Sequence, residues 1–273
     1  MPRPRHQGAI ATAQKLVDEL QIQEPSEIDI ALIAAHLGLH LRRRPLPHEE
    51  GRLLRAGSFG LVVVADRAFD SAKWRFVVAH EIGHFLQHPD TDTFDICTGA
   101  NLFGANLDSG REAEANDFAS ELLMPSRLFA PLCDRSRPSL DDVSELATAF
   151  ETSLTATALR LVQLTREPCA VVHSTRGAVD WVDQSSGFVP TLGADQPLGG
   201  GTWAGELHAG APPMSGPQTV DAACWSADPR AAGMKLQEHS RHVADTSVLT
   251  LLWHAAPSRE GPSREGPSRE GQS

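Results

Sequence analysis

Apolar positions along the chain follow two rhythms, and the order in which these alternate predicts an α+β fold. Residues 8–21 and Ser26–Leu37 carry apolar residues at helical spacing, with Ser26 placed to cap the second helix and Gly38 to stop it. Leu39–Arg43 reads as extended, and Gly60–Ala65 is an unbroken apolar run of strand length. Trp74, Phe76, Val77, Val78, Ile82, Phe85 and Leu86 then recur at near-helical spacing. Asp70 or Ser71 can cap that helix, Phe69 can staple its entry and Pro89 ends it. Apolar residues on nearly every side imply that it is buried. A further helix spans residues 111–124, opened by Asp108-Ser109-Gly110 and closed before Pro125, with Ala115, Phe118, Ala119, Leu122 and Leu123 as its apolar stripe. Between the two, residues 90–110 show little periodicity and read as a loop over a cleft, a candidate lid.

Farther along, Ser139–Ala149 and Leu154–Leu164 form two short helices of helix-turn-helix size. The second offers only Arg160, Gln163 and threonines to a DNA groove, beside Asp141, Asp142, Glu145 and Glu151. Packing is therefore expected of it rather than DNA reading. From residue 168 the rhythm changes. Ala170–His173, Ala178–Val182 and Val248–Trp253 read as strands among Gly- and Pro-rich loops such as 193–217, and four of the five tryptophans lie here, which requires a packed core. From Pro257 a Gly-Pro-Ser-Arg-Glu repeat is too polar and Pro-rich to bury anything. The expected organisation is a first domain over 1–135, a helix-turn-helix-like unit over 136–167, a small strand-rich C-terminal domain over 168–256 and a disordered tail over 257–273.

Composition narrows the class. Charged residues interrupt residues 1–20, so no signal-peptide core is present, and no run of 18 apolar residues exists. A cytoplasmic protein with no membrane partner is expected. Net charge is −11, which disfavours nonspecific nucleic-acid binding, although Arg42-Arg43-Arg44 is a local basic cluster. Cys97, Cys133, Cys169 and Cys224 are too irregularly spaced for a disulfide framework and read as reduced thiols.

The candidate chemistry lies in His80-Glu81-Ile82-Gly83-His84, the H-E-x-x-H arrangement of zinc-dependent peptidases. On a helix, residues four apart share one face, so both imidazoles can reach one ion while Glu81 sits beside them as general base. A third protein ligand is needed. His88 is excluded, because side chains at i, i+4 and i+8 span about 12 Å of helix. The next helix supplies Glu112 at the edge of its apolar stripe, with Asn116 one turn on as an acceptor for the spare N–H of His80 or His84. Small Ala115 permits close approach, whereas Glu114 is turned about 200° from Glu112 and reads as solvent-facing.

Arg75–His88, followed by Glu112–Pro125, resembles the ImmA/IrrE family of bacterial zinc metallopeptidases in the order and spacing of both blocks. The resemblance spans roughly residues 25–130. It implies a gluzincin-like fold, with His80, His84 and Glu112 as ligands of zinc, or manganese in its place, and Glu81 as general base. It implies an edge strand at 60–65 that pairs with extended substrate, and as substrate a helix-turn-helix repressor whose cleavage turns on stress-response or mobile-element genes. Two alternatives stand beside this reading: a metal-bound regulator that sequesters a repressor without cutting it, and a DNA-binding regulator acting through 139–165. One departure matters. The chain has no Tyr to stabilise an oxyanion, which leaves His48, His88 or His173 as candidates.

Overall fold

In the computed structural model, which describes residues 5–69, 72–89, 95–97, 110–133 and 138–254, the chain is a mixed α and β protein built around two sheets. Helix α1 (Gln7–Glu19) leads through a 3-10 turn (Pro25–Glu27) to α2 (Ile30–His36). Ser26 does not cap α2. It lies in the 3-10 turn with its hydroxyl on Glu24, and the cap is Asp29, whose carboxylate accepts from the amides of Ala31 and Leu32 at 3.0 and 3.1 Å.

The first sheet contains β1 (Leu39–Arg44), β2 (Gly51–Ala56), β3 (Phe59–Ala65) and β4 (Asp95–Cys97), in the order β1-β3-β2-β4. The 60–65 run is therefore not an edge strand. β3 pairs in parallel with β1 on one side and antiparallel with β2 on the other, which accounts for its apolar residues pointing both ways. Strand β2, Gly-Arg-Leu-Leu-Arg-Ala, has too short and mixed a pattern to be read from sequence, yet it occupies the centre beside β3. Among the described residues β4 is the edge beyond β2, in register Gly51↔Cys97 and Leu53↔Asp95. Most of the expected lid at 90–110 lies outside the described residues, as do the expected caps Asp70 and Ser71.

Behind a single turn, α3 (Asp66–Phe69), comes α4 (Lys73–Gln87), buried from Arg75 to Phe85 and packed between the sheet and α5 (Gly110–Leu123). Gly83 makes the crossing possible: a Cβ there would lie 3.1 Å from both Ala115 Cα and Phe118 Cδ1. Arg55 closes the far end of α4, its guanidinium 4.2 Å over the Phe85 ring and donating to the Phe85 carbonyl. On its other side α5 meets α1, and His6 binds Asp117 Oδ2 through its amide at 2.7 Å.

Three helices follow: α6 (Ser126–Cys133), which tolerates Pro131, α7 (Leu140–Ala149) and α8 (Leu154–Leu164). The helix once eligible for a DNA groove is inside. Arg160 is 0 % exposed and donates to Glu121 and to the Met124 carbonyl that ends α5, while Thr157 and Leu161 are also buried. The second sheet has the order β6-β5-β9-β8-β7, from β5 (Cys169–Thr175), β6 (Ala178–Gln184), β7 (Gln218–Asp221), β8 (Lys235–Ala244) and β9 (Ser247–His254). One face carries Cys169, Val171, Leu249, Leu251 and Trp253 into the core shared with α7, α8 and the first sheet. The other packs on α9 (Trp203–His208), Phe188 and Trp225 in a second core. The 257–273 tail lies outside the described residues.

Candidate metal centre

Helix α4 sets His80 and His84 one turn apart, with 0 % and 1 % exposure, and α5 delivers Glu112 to them across the Gly83–Ala115 contact. The two Nε2 atoms are 2.9 Å apart. Glu112 Oε2 lies 3.3 Å from His80 Nε2, and Glu112 Oε1 lies 3.3 Å from His84 Nε2. Among the described residues these three are the group whose ligand atoms all fall within 4.8 Å of one another. A tetrahedral ion with bonds of about 2.05 Å places its ligand atoms about 3.3 Å apart, so the spacing fits one small cation. Two nitrogens and a carboxylate oxygen also form a donor set suited to zinc, with a fourth position left over.

The protonation states agree. Burial pushes the His80 imidazolium down, outweighing its bond to Glu112, so its ring is held neutral with a free lone pair. For Glu112 burial acts in the opposite sense, but hydrogen bonds from His80 and His84 overcome it and hold the carboxyl well below its usual range. A neutral imidazole, as at His80, and an ionised carboxylate, as at Glu112, are the forms that ligate. The second ring nitrogen of His80 is also engaged, with Nδ1 2.9 Å from Asn116 Oδ1.

Glu81 is fully buried on the same helix, against β2. Gly51 makes its room, because a Cβ at that position would lie 2.7 Å from Glu81 Oε1 and 2.5 Å from Val77 Cγ1. No motif in the sequence points to Gly51, since a lone Gly before an irregular strand carries no signal. Glu114 is not simply solvent-facing: its Oε2 lies 2.9 Å from His88 Nε2. The other His88 nitrogen is 3.1 Å from His84 Nδ1. Both His88 nitrogens are thus occupied, which leaves it no donor for an oxyanion. Among the other candidates for that role, His173 is held by Asp180 at 2.6 Å and stacks on Trp181 in the second sheet, and His48 is an exposed loop residue.

Residues 34–162 match the Peptidase_M78 family, described as an IrrE N-terminal-like domain. The radiation response metalloprotease IrrE of Deinococcus radiodurans is 28 % identical over 138 residues, 50 % of this chain and 41 % of that protein. An immunity region protein of Bacillus phage phi105, itself uncharacterised, is 26 % identical over 134 residues, 49 % of this chain and 78 % of its own length. Among solved structures, a Mycobacterium tuberculosis transcriptional regulator shares the fold at TM-score 0.61 and 14 % identity, covering 92 % of this chain and 77 % of its own. Residues 34–162, which hold the three converging side chains, are therefore a domain of the ImmA/IrrE metallopeptidase family.

Proposed function

We propose that this protein is a zinc-dependent endopeptidase whose substrate is another protein, a helix-turn-helix transcriptional repressor. The observation that carries the reading is the convergence of His80, His84 and Glu112 at 2.9 to 3.3 Å beside the buried carboxylate of Glu81. His80 Nε2, His84 Nε2 and Glu112 would hold the metal, with Asn116 orienting His80. Zinc bound there supplies a Lewis acid for the scissile carbonyl and a water acidified for attack. Glu81 takes the proton of the attacking water and hands it to the leaving amine. Its burial against β2 keeps the carboxylate in one place, and Gly51 provides the space. Among the described residues β4 is the edge of this sheet, and an extended substrate segment would add to it by main-chain hydrogen bonds.

The choice of substrate follows the names of the relatives. One is a radiation response metalloprotease, one is an immunity region protein of a phage, and the fold neighbour is a transcriptional regulator, the one name of the three that speaks of gene control. A sequestering protein without cleavage would have no use for Glu81 beside the ligands. A DNA-binding role through 139–165 is disfavoured because Arg160 and Thr157 are enclosed.

The test is to strip the protein of metal, reload it with zinc and incubate it with the repressor encoded beside its gene. Cleavage that requires zinc and disappears in Glu81→Gln is expected. Cleavage without metal, or by Glu81→Gln at the parent rate, overturns the reading.

A further inference from the structure

We propose that His88 and Glu114 are positioning residues that fix the tautomer and orientation of His84 through a directed hydrogen-bond chain. The inference rests on the three-ligand reading and extends it to two residues that neither the H-E-x-x-H motif nor the Glu112 block requires.

The polarity of the chain follows from its geometry. If His84 Nε2 gives its lone pair to a metal, the ring proton must sit on Nδ1. His84 Nδ1 is 3.1 Å from His88 Nδ1, so the latter must be the unprotonated, accepting nitrogen. The His88 proton is thereby assigned to Nε2, which donates to Glu114 Oε2 at 2.9 Å. Each link has one donor and one acceptor, and the reverse order would place a proton on the nitrogen that faces Glu112. His80 receives the same service in one step from Asn116. The two rings are thus fixed by different devices, a neutral amide for one and an imidazole backed by a carboxylate for the other. The His88 side chain is 9 % exposed and that of Glu114 is 39 % exposed, so the chain runs from the buried site to the surface. Helix α5 supplies both ends of the arrangement: Glu112 faces the ligand nitrogens and Glu114 anchors the relay. Orienting partners of this kind change metal affinity by roughly 10–100-fold.

The test measures zinc affinity of the full chain by chelator competition, alongside the thermal midpoint of the metal-free protein. His88→Ala and Glu114→Ala should each weaken binding by roughly 10–100-fold with the metal-free midpoint unchanged. Combining them should weaken it no further than His88→Ala alone, because the carboxylate acts only through the ring. Glu114→Gln keeps an oxygen to accept the His88 proton and should recover most of the loss seen in Glu114→Ala. Affinity within twofold of the parent in both alanine variants overturns the relay, as does a loss seen only with a lowered metal-free midpoint. His84→Ala separates the two levels. If it binds zinc as tightly as the parent, the three-ligand reading falls and the relay with it; if it loses zinc while His88→Ala does not, the relay alone falls.

Discussion

At the scale of single residues, the division of labour between Glu81 and the three converging side chains makes their variants separable. Glu81→Gln keeps shape and removes the base, so cleavage should drop at least about 100-fold while bound zinc stays at the parent level. His84→Ala or Glu112→Ala should lose the metal itself, as metal analysis after gel filtration would report. Gly51→Ala offers an independent check, because its methyl group would meet Glu81 Oε1 and Val77 Cγ1 inside contact distance. The expected outcome is a folded, zinc-binding protein with cleavage reduced at least tenfold, at a stability cost of about 1–3 kcal/mol. Full activity in Gly51→Ala would show that the Glu81 carboxylate tolerates displacement. The motif residues were legible in the sequence because helical phase alone brings i and i+4 together. Glu112 was legible because its position on the apolar stripe of α5 faces α4. Gly51 and the His88–Glu114 pair were not, since they depend on strand register and helix crossing, which local pattern does not encode.

At the scale of elements, α5 is held at its C-terminal end by a buried ion pair. Glu121 accepts from Arg160 and from the Ser126 amide and hydroxyl at 2.9 and 2.7 Å, and Arg160 also donates to the Met124 carbonyl. Burial alone would raise the Glu121 pKa, but the Arg160 charge and the Ser126 bonds lower it below its ordinary 4.5. A carboxyl depressed in the folded state contributes stability that is present above its unfolded pKa and lost as pH falls through the folded one. The protein should therefore lose thermal stability progressively below about pH 4.5. Arg160→Met should lower stability at neutral pH by about 3–5 kcal/mol, because it strands a buried carboxylate, and should flatten that acid limb. Urea unfolding at a series of pH values checks both outcomes. The helices α1, α4, α5, α7 and α8 could be read from periodicity, and of the expected side-chain caps Ser139 caps α7, whereas α4 begins after Ala72 with no side-chain cap. β2, α6, β7 and β8 could not, for they are short, mixed in pattern or interrupted by Pro131, and neighbours rather than local preference hold them in place.

At the scale of the whole molecule, the second sheet is less independent of the metal centre than the change in sequence character at residue 168 suggests. Val171, Leu249, Leu251 and Trp253 share a core with α7, α8 and, through Phe129 and Leu122, with the helix that carries Glu112. Truncation at residue 167 would expose that apolar face, so a lowered thermal midpoint and aggregation are expected, whereas removing the polar repeats 257–273 should leave the midpoint unchanged. No helix among the described residues is long and apolar enough to cross a membrane. The proposed chemistry requires a single ion between α4 and α5. Anomalous diffraction from zinc-loaded crystals, recorded on either side of the zinc absorption edge, tests this directly. One peak at about 2.0–2.2 Å from His80 Nε2, His84 Nε2 and a Glu112 oxygen is predicted. A peak bound to other side chains, or none at that point in fully loaded protein, would contradict it.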